Sequence, residues 1–147
     1  MEEVKVKSWA GVQTPKYQVE TTDSFDLFFN TVKDIYKGRV KVDKSVMEHS
    51  KENGYITLRP FERVVLGTGI SFIDFPKHYK LQIVSTPGLA LSVGIVMLVS
   101  PYYVESSYKD EITLILYNST QFPARLNYGD KIAKASIVPL IRASTLI

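Results

Sequence analysis

The chain has 147 residues, of which 45% are hydrophobic and 22% are charged, and its net charge is +3. This size and composition predict one globular domain spanning residues 1–147, and the small, scattered positive charge gives no reason to expect a nucleic-acid partner. The chain contains no cysteine, which excludes disulfides, thiolate catalysis and every cysteine-based zinc site.

No segment of the sequence is typical of a membrane or secreted protein. The longest nearly apolar stretch, residues 89–99, is too short to cross a bilayer. The N-terminal sequence MEEVKVKSW has mixed charge and lacks the apolar stretch of a signal peptide. We therefore expect a protein that is neither secreted nor membrane-spanning and that lies inside the cell.

The first predicted element begins at Phe25. In FDLFFNTVKDIYKG, the apolar residues at positions 25, 28, 29, 32, 35 and 36 approach the 3.6-residue period of a helix, and Gly38 would suit its C-terminal cap. We expect a short helical insertion near residues 25–37, although residues 19–29 would also serve as a strand. The polar residues 41–54 indicate a strand and then an exposed loop that ends at a turn.

From residue 55 to residue 140, short β-rich segments follow one another between turns. In EITLIL, for example, Thr113 and Ile115 lie on one face of a strand and Leu114 and Leu116 on the other. GLALSVGIVMLV, residues 88–99, is expected to form another strand. Short strands at this spacing predict an all-β sandwich or barrel.

The order of these segments resembles the trimeric dUTPase and dCTP deaminase superfamily over roughly residues 60–140. The most specific parts are Gly88-Leu89-Ala90, the turn YKDE before ITLILYN, and GDKIA at residues 129–133. The resemblance implies a distorted jelly roll, a homotrimer, and active sites shared between neighbouring subunits.

The first family motif is a small-residue stretch that ends in an aromatic residue, Asp and Leu. Its match here is DSFDL, which keeps Asp26 and loses the small residues. The resemblance implies that Asp26 holds a hydrated magnesium, which suits an ion that keeps several waters and needs few carboxylates. The alternative is a turn aspartate that accepts hydrogen bonds from nearby backbone amides.

The second motif of the family reads Pro-Arg-Ser-Gly-Leu-Ala, and its Arg and Ser bind the substrate phosphates. Here Thr86 stands in place of the Arg, Pro87 in place of the Ser, and Gly88 is kept. Thr86 carries no charge, and proline removes one backbone N–H donor. The turn is expected to keep its shape and to lose most of its phosphate binding, with Thr86 and Gly88 as ligands only in an active enzyme.

The third motif supplies the base pocket, a catalytic Asp and a Tyr that discriminates against ribose. Glu105 stands at the Asp position, with its carboxylate one methylene further out, and Tyr108 matches the Tyr. Tyr102 and Tyr103 precede them. These two rings would fill the base pocket, pack at a subunit or partner contact, or stack on a substrate base; we favour the first two.

The fourth motif is the best preserved, with Lys134 in place of a Gln that contacts phosphate in the family; a lysine there could still bind an anion as a point charge. The fifth motif, a glycine-rich C-terminal lid with a Phe, is absent from the ending IVPLIRASTLI.

Three functional hypotheses follow. The first is a dUTPase-fold homotrimer that has lost hydrolysis and needs no cofactor. It would be a structural or binding module, either in a virus particle or as a regulator of a viral or host protein. The second is a divergent dUTP diphosphatase that uses Asp26, Glu105, Tyr108, Lys134 and Mg²⁺. The third is an unrelated jelly roll. The altered second, third and fifth motifs favour the first hypothesis.

Overall fold

The computed structural model describes residues 5–8 and 24–141, which form thirteen strands and two helices. The strands are β1 (Lys5–Ser8), β2 (Ser24–Phe28), β3 (Thr31–Lys37), β4 (Val40–Lys41), β5 (Tyr55–Leu58), β6 (Glu62–Gly67), β7 (Ile70–Asp74), β8 (Tyr79–Ser85), β9 (Ile95–Met97), β10 (Tyr102–Glu105), β11 (Thr113–Asn118), β12 (Ala124–Asn127) and β13 (Lys131–Pro139). The helices are α1 (Lys44–Asn53) and α2 (Pro87–Val93). The all-β fold class predicted from the sequence is confirmed.

The strands form two main sheets and two small ones. One main sheet has the order β10-β8-β13-β2, and the other has the order β4-β3-β6-β11-β9. The pairs β1-β7 and β12-β5 complete the described structure, and the ladders between neighbours are antiparallel. Inward-facing residues of both main sheets, such as Leu81, Ile83, Leu66 and Leu114, belong to one buried hydrophobic cluster.

The helix predicted near residues 25–37 is wrong, because this segment forms β2 and β3. Phe25, Leu27 and Phe29 alternate into the core, and β3 pairs with β6 through an irregularity between Val32 and Asp34. That irregularity shifts the apolar positions of β3 by one residue, so that they imitate a helical period. Strand pairing across the sheet outweighs the local pattern.

The helix lies instead at Lys44–Asn53, where the sequence predicts an exposed loop. Asp43 caps its start by accepting a hydrogen bond from the Ser45 backbone N–H at 2.9 Å. Gly54 ends it in the left-handed conformation, with φ of 79°, and donates its N–H to the Ser50 carbonyl.

The segment from Gly88 to Val99 is also not one strand. Residues 87–93 form α2, which begins at Pro87 and ends at Gly94 with φ of 70°, and the strand that follows covers only Ile95–Met97. Proline is favoured in the first turn of a helix and a left-handed glycine at its end, so these two residues set the limits of α2. In the part of the chain that the structure describes, neither helix has the length and hydrophobicity needed to cross a membrane.

The buried side chain of Asn118, at the end of β11, forms hydrogen bonds to the backbone of two separate turns. Its side-chain amide donates to the Leu58 carbonyl at 3.0 Å and to the Phe122 carbonyl at 2.7 Å, and its Oδ1 accepts from the Thr120 N–H at 3.0 Å. The residue is fully buried, so water cannot replace these partners.

We predict that Asn118→Ala lowers the free energy of unfolding by about 2–4 kcal/mol, because it leaves buried backbone groups without partners. Urea unfolding measures the loss, and the exposed neighbour Gln121→Ala is the matched control. A loss for Asn118→Ala no larger than that of the control would contradict this role.

Candidate functional site

A cavity of about 370 Å³ lies where the start of α2 meets the start of β13. Thr86 and Gly88 line one side of it, and Asp130, Lys131 and Lys134 line the other. The cavity therefore brings together three residues that the sequence analysis selected, Thr86, Gly88 and Lys134, and it adds Lys131, which the sequence analysis did not select.

A β-bulge determines which residues of β13 reach this cavity. Lys131 is opposite Phe28 and Ala133 is opposite Leu27, so that Ile132 is the extra residue between them. In a regular strand, residues 131 and 134 would lie on opposite faces. The bulge places both lysines on the outer face of the sheet, while Ile132 and Ala133 are both buried.

Asp26 lies beside the two lysines. Its partner across the β2–β13 ladder is Lys134, and the Lys131 Nζ lies 3.8 Å from its Oδ1. The Asp26 side chain is only 8% exposed, so water screens the attraction between its carboxylate and the lysines weakly. Asp130 also lines the cavity, so the two lysines are balanced by two carboxylates, and the ammonium groups of Lys131 and Lys134 are the groups that could contact an anion there.

Thr86 adds a hydroxyl group to the same cavity. The residue is buried, and among the described residues its Oγ1 has no hydrogen-bond partner. A buried hydroxyl without a partner costs about 1–3 kcal/mol. A bound oxygen that accepted a hydrogen bond from Thr86 would recover this cost, once a shift of the side chain had exposed the buried Oγ1 to the cavity.

The turn before Lys131 is held rigidly. The Asp130 carboxylate accepts a hydrogen bond from the Asn127 N–H at 2.8 Å, and its backbone carbonyl accepts one from the Phe29 N–H at 2.8 Å. The Gly129 N–H donates to the Phe29 carbonyl at 2.7 Å, and Gly129 has φ of 89°. These bonds fix the turn that presents Lys131 to the cavity.

Glu105 and Tyr108 lie elsewhere. Glu105 ends β10 opposite Lys80, and its side chain is exposed. The Tyr108 hydroxyl donates to the Glu111 carbonyl at 3.0 Å. Burial raises the pKa of Tyr108, and the charges that nearby Tyr102, Asp110 and Glu111 can carry raise it further, so its phenol keeps its proton.

Asp26 and Glu105 cannot meet within one chain. The strand order places β13 and β8 between β2 and β10, and Asp26, Lys134 and Val84 lie in one row while Glu105 lies four residues further along β10. Three strand spacings and four residues of rise separate their Cα atoms by roughly 20 Å. A site that uses both carboxylates needs a second copy of the chain.

The tyrosines before Glu105 differ from each other. Tyr102 packs against the hydrophobic core and lines an apolar cavity of about 190 Å³ with Val65 and Ile115. Tyr103 is 45% exposed, and the Lys80 Nζ lies 4.1 Å from the centre of its ring. Burial of both rings at a subunit or partner contact stays a prediction.

The described residues contain no group of three or more His, Asp or Glu side chains placed to hold a metal ion. The single carboxylate of Asp26 still fits a hydrated Mg²⁺, because Mg²⁺ takes one or two carboxylates and completes its shell with water and substrate phosphates. The C-terminal residues 142–147, to which the prediction of a missing lid refers, lie outside the described residues.

Comparison with known proteins finds deoxyuridine 5'-triphosphate nucleotidohydrolases, although no protein-family model matches the chain. A deoxyuridine 5'-triphosphate nucleotidohydrolase of Hydrogenobaculum sp. is 37% identical over 91 residues, which are 62% of this chain and 62% of that protein. A protein of the same name from Ehrlichia canis is 31% identical over 130 residues, which are 88% of this chain and 71% of that protein. The match thus spans less than two thirds of the Hydrogenobaculum protein and more than two thirds of the Ehrlichia protein.

Solved structures extend the similarity to the fold. The dUTPase of Staphylococcus bacteriophage 80alpha aligns with a TM-score of 0.74 at 14% identity, over 99% of this chain and 95% of that chain. The dUTPase of phage phi11 of S. aureus aligns with a TM-score of 0.74 at 14% identity, over 99% of this chain and 96% of that chain. The predicted dUTPase-like fold is confirmed.

We predict that Lys131→Ala and Lys134→Ala each weaken the binding of inorganic tripolyphosphate about tenfold, because each removes one charge-assisted contact. Isothermal titration calorimetry at low salt measures the affinity, and Lys77→Ala, which removes an exposed lysine outside the cavity, is the control. Equal affinities for the three variants would contradict an anion site at the bulge.

Proposed function

The chain belongs to the dUTPase family, and we propose that it is a divergent dUTP diphosphatase that hydrolyses dUTP to dUMP and pyrophosphate. The observation that carries this proposal is the cavity that holds Lys131, Lys134 and the unpaired Thr86 hydroxyl beside buried Asp26. The two lysines of this cavity supply positive charge that the Thr86-Pro87 turn lacks. This support, together with the relatives' name, favours a hydrolase over the inactive module expected from the motif substitutions.

The phosphate chain of the nucleotide would occupy this cavity. Lys131 and Lys134 would neutralise phosphate oxygens, and the Thr86 hydroxyl would donate to one of them. Cleavage between the first and second phosphates requires water to attack the first phosphorus while pyrophosphate leaves. A carboxylate base has to take the proton of that water, and its oxygen has to lie within about 3 Å of it.

Glu105 of a neighbouring copy is the proposed base, because Glu105 of the same chain is too far from the cavity. Its exposed position at the end of β10 makes its carboxylate accessible to another subunit. Tyr108 of the same neighbouring copy would pack against the sugar, as the resemblance to the family implies. When bound, a hydrated Mg²⁺ held through water by Asp26 would add positive charge near the phosphates.

A trimer would bring these groups together. The outer face of the five-stranded sheet and the adjoining loop leave apolar side chains exposed: Ile115 is 37% exposed, and Leu98 and Val99 are each 48% exposed. Ile115 and Val99 line the apolar cavity that Tyr102 and Val65 also line. Closed threefold symmetry would bury this exposed apolar patch against two further copies.

The mass in solution tests the assembly. We predict a single species of about 50 kDa, three times the 16.6 kDa of one chain, in sedimentation at micromolar concentration. Ile115→Lys, which places a charge on the apolar patch, should shift the population toward monomer, and exposed Lys77→Glu should not. A wild-type monomer at this concentration would contradict the trimer.

Pyrophosphate release from dUTP tests the hydrolase and its shared site. We predict turnover for the wild type, with dCTP, dTTP and UTP as controls, and a loss of at least about a hundredfold in Asp26→Asn and in Glu105→Gln. Trimers assembled from an equal mixture of the two variants should regain about a quarter of the wild-type rate, because one in four random pairings joins an intact Asp26 to an intact Glu105.

The absence of recovery in mixed trimers, while the wild type is active, would contradict a site shared by Asp26 and Glu105. The absence of turnover in the wild type would contradict the hydrolase proposal itself. The mixture must be refolded or expressed together so that subunits exchange, and sedimentation of the mixed sample controls for assembly.

A second candidate is a module that binds a partner and does not hydrolyse dUTP. It is favoured by the uncharged Thr86-Pro87 turn, because a phosphate clamp normally supplies much of the stabilisation of the transition state. One solved relative in fold, the dUTPase of bacteriophage 80alpha, is described as controlling the transfer of virulence genes. The corresponding proposal is a viral or host protein as partner, and binding of dUTP without turnover distinguishes it from the hydrolase.

A further inference from the structure

A second cleft, of about 690 Å³, lies between α1 and β5 and shares no lining residue with the cavity at the bulge. One wall comes from α1, where Val46, His49 and Asn53 are spaced to face the same side of the helix. The other wall comes from β5 and the residue after it, Arg59. Its volume lies within the range typical of small-molecule sites.

The cleft is held open by contacts beneath it. The Ser50 hydroxyl donates to the Met47 carbonyl at 2.6 Å and lies 3.3 Å from the Tyr128 hydroxyl. The Tyr128 ring stacks on Phe29 with a centroid distance of 4.3 Å, and its backbone N–H donates to the Gly54 carbonyl at 3.1 Å. These contacts join α1 to the buried part of the protein, so the two walls have a fixed separation.

Among the residues that line the cleft, Arg59 is the one with a permanent charge. No aspartate or glutamate lines it, and His49, Asn53 and Thr57 add hydrogen-bonding groups. Among the ion pairs of residues 5–8 and 24–141, none includes Arg59. The guanidinium of Arg125 lies 3.8 Å from the centre of the Tyr55 ring at the edge of the cleft and adds positive charge there.

Part of the cleft is apolar. Val46, which is 38% exposed, and half-buried Tyr55 contribute apolar surface to it, and Ile56, which also lines it, is buried in the core. An apolar surface next to an arginine that forms no ion pair with the described residues suits a ligand with an apolar body and an anionic group.

We propose that this cleft binds a small organic anion, with its apolar body on Val46 and Tyr55 and its phosphate or carboxylate on Arg59 and His49. Arg59 keeps its charge throughout the physiological pH range and offers a pair of parallel donors to such a group. The site is separate from the proposed hydrolase site and does not depend on its activity.

Titration of the full-length protein with phenyl phosphate, followed by backbone amide shifts in NMR spectra, tests this proposal. We expect saturable shifts centred on residues 45–59. Arg59→Gln should weaken the affinity about tenfold, because it removes a charge-assisted hydrogen bond. Lys51→Gln, which removes a positive charge from the same helix outside the cleft, is the matched control and should leave the affinity unchanged.

Two further titrations determine which chemical groups of the ligand are needed for binding. Inorganic phosphate, which lacks an apolar body, should bind at least about tenfold more weakly than phenyl phosphate. Benzoate compared with phenyl phosphate distinguishes a carboxylate site from a phosphate site. The double variant Lys131→Ala, Lys134→Ala should keep its affinity for phenyl phosphate in this cleft.

Three results would overturn the proposal: no saturable shift at residues 45–59, shifts confined to residues 86–88 and 130–134, or the same affinity in Arg59→Gln and Lys51→Gln. Equal binding of inorganic phosphate and phenyl phosphate would overturn the apolar part of the site. Both glutamine variants change exposed residues, and circular dichroism confirms that they fold.

Discussion

The bulge at Ile132 is the constraint on which the candidate site depends. One extra residue in β13 places Lys131 on the same face as Lys134 and Asp26. Without the bulge, Lys131 would point toward the core, where an unpaired ammonium group is very costly. The register of β2 and β13 therefore decides whether both lysines reach the cavity beside Asp26, and the hydrogen bonds of the Asp130 turn hold that register.

The sheet order imposes the second constraint. Because β8 and β13 separate β10 from β2, Glu105 and Asp26 lie far apart in one chain. In the proposed hydrolase, the phosphate-binding residues and the general base Glu105 would therefore come from two chains, so assembly would be needed for activity. Burial of the exposed apolar patch near Ile115 would favour such an assembly.

Part of this could be predicted from the sequence. The alternation in β11 indicated a strand because one of its faces packs in the core, and the motifs around Gly88 and Gly129 indicated the family. The position of α1 could not be predicted, because the apolar residues of the bulged strands at residues 25–37 imitate a helical period. Helix α1 is largely polar, and it is held to the core partly by the contact between Ser50 and Tyr128, which are distant in the sequence. Lys131 was not predicted as a site residue, because the position of a β-bulge depends on how two strands pair. The sequence does contain one signal of the bulge: Ile132 and Ala133 are two successive apolar residues in a strand that otherwise alternates.

The most direct test of the account is a crystal structure of the protein with a non-hydrolysable dUTP analogue and Mg²⁺. We expect the phosphates to lie between Lys131 and Lys134, the Thr86 hydroxyl to donate a hydrogen bond to a phosphate oxygen, and Glu105 of a neighbouring subunit to face the first phosphate. Phosphates bound away from the two lysines, or a nucleotide enclosed by residues of one chain alone, would contradict it.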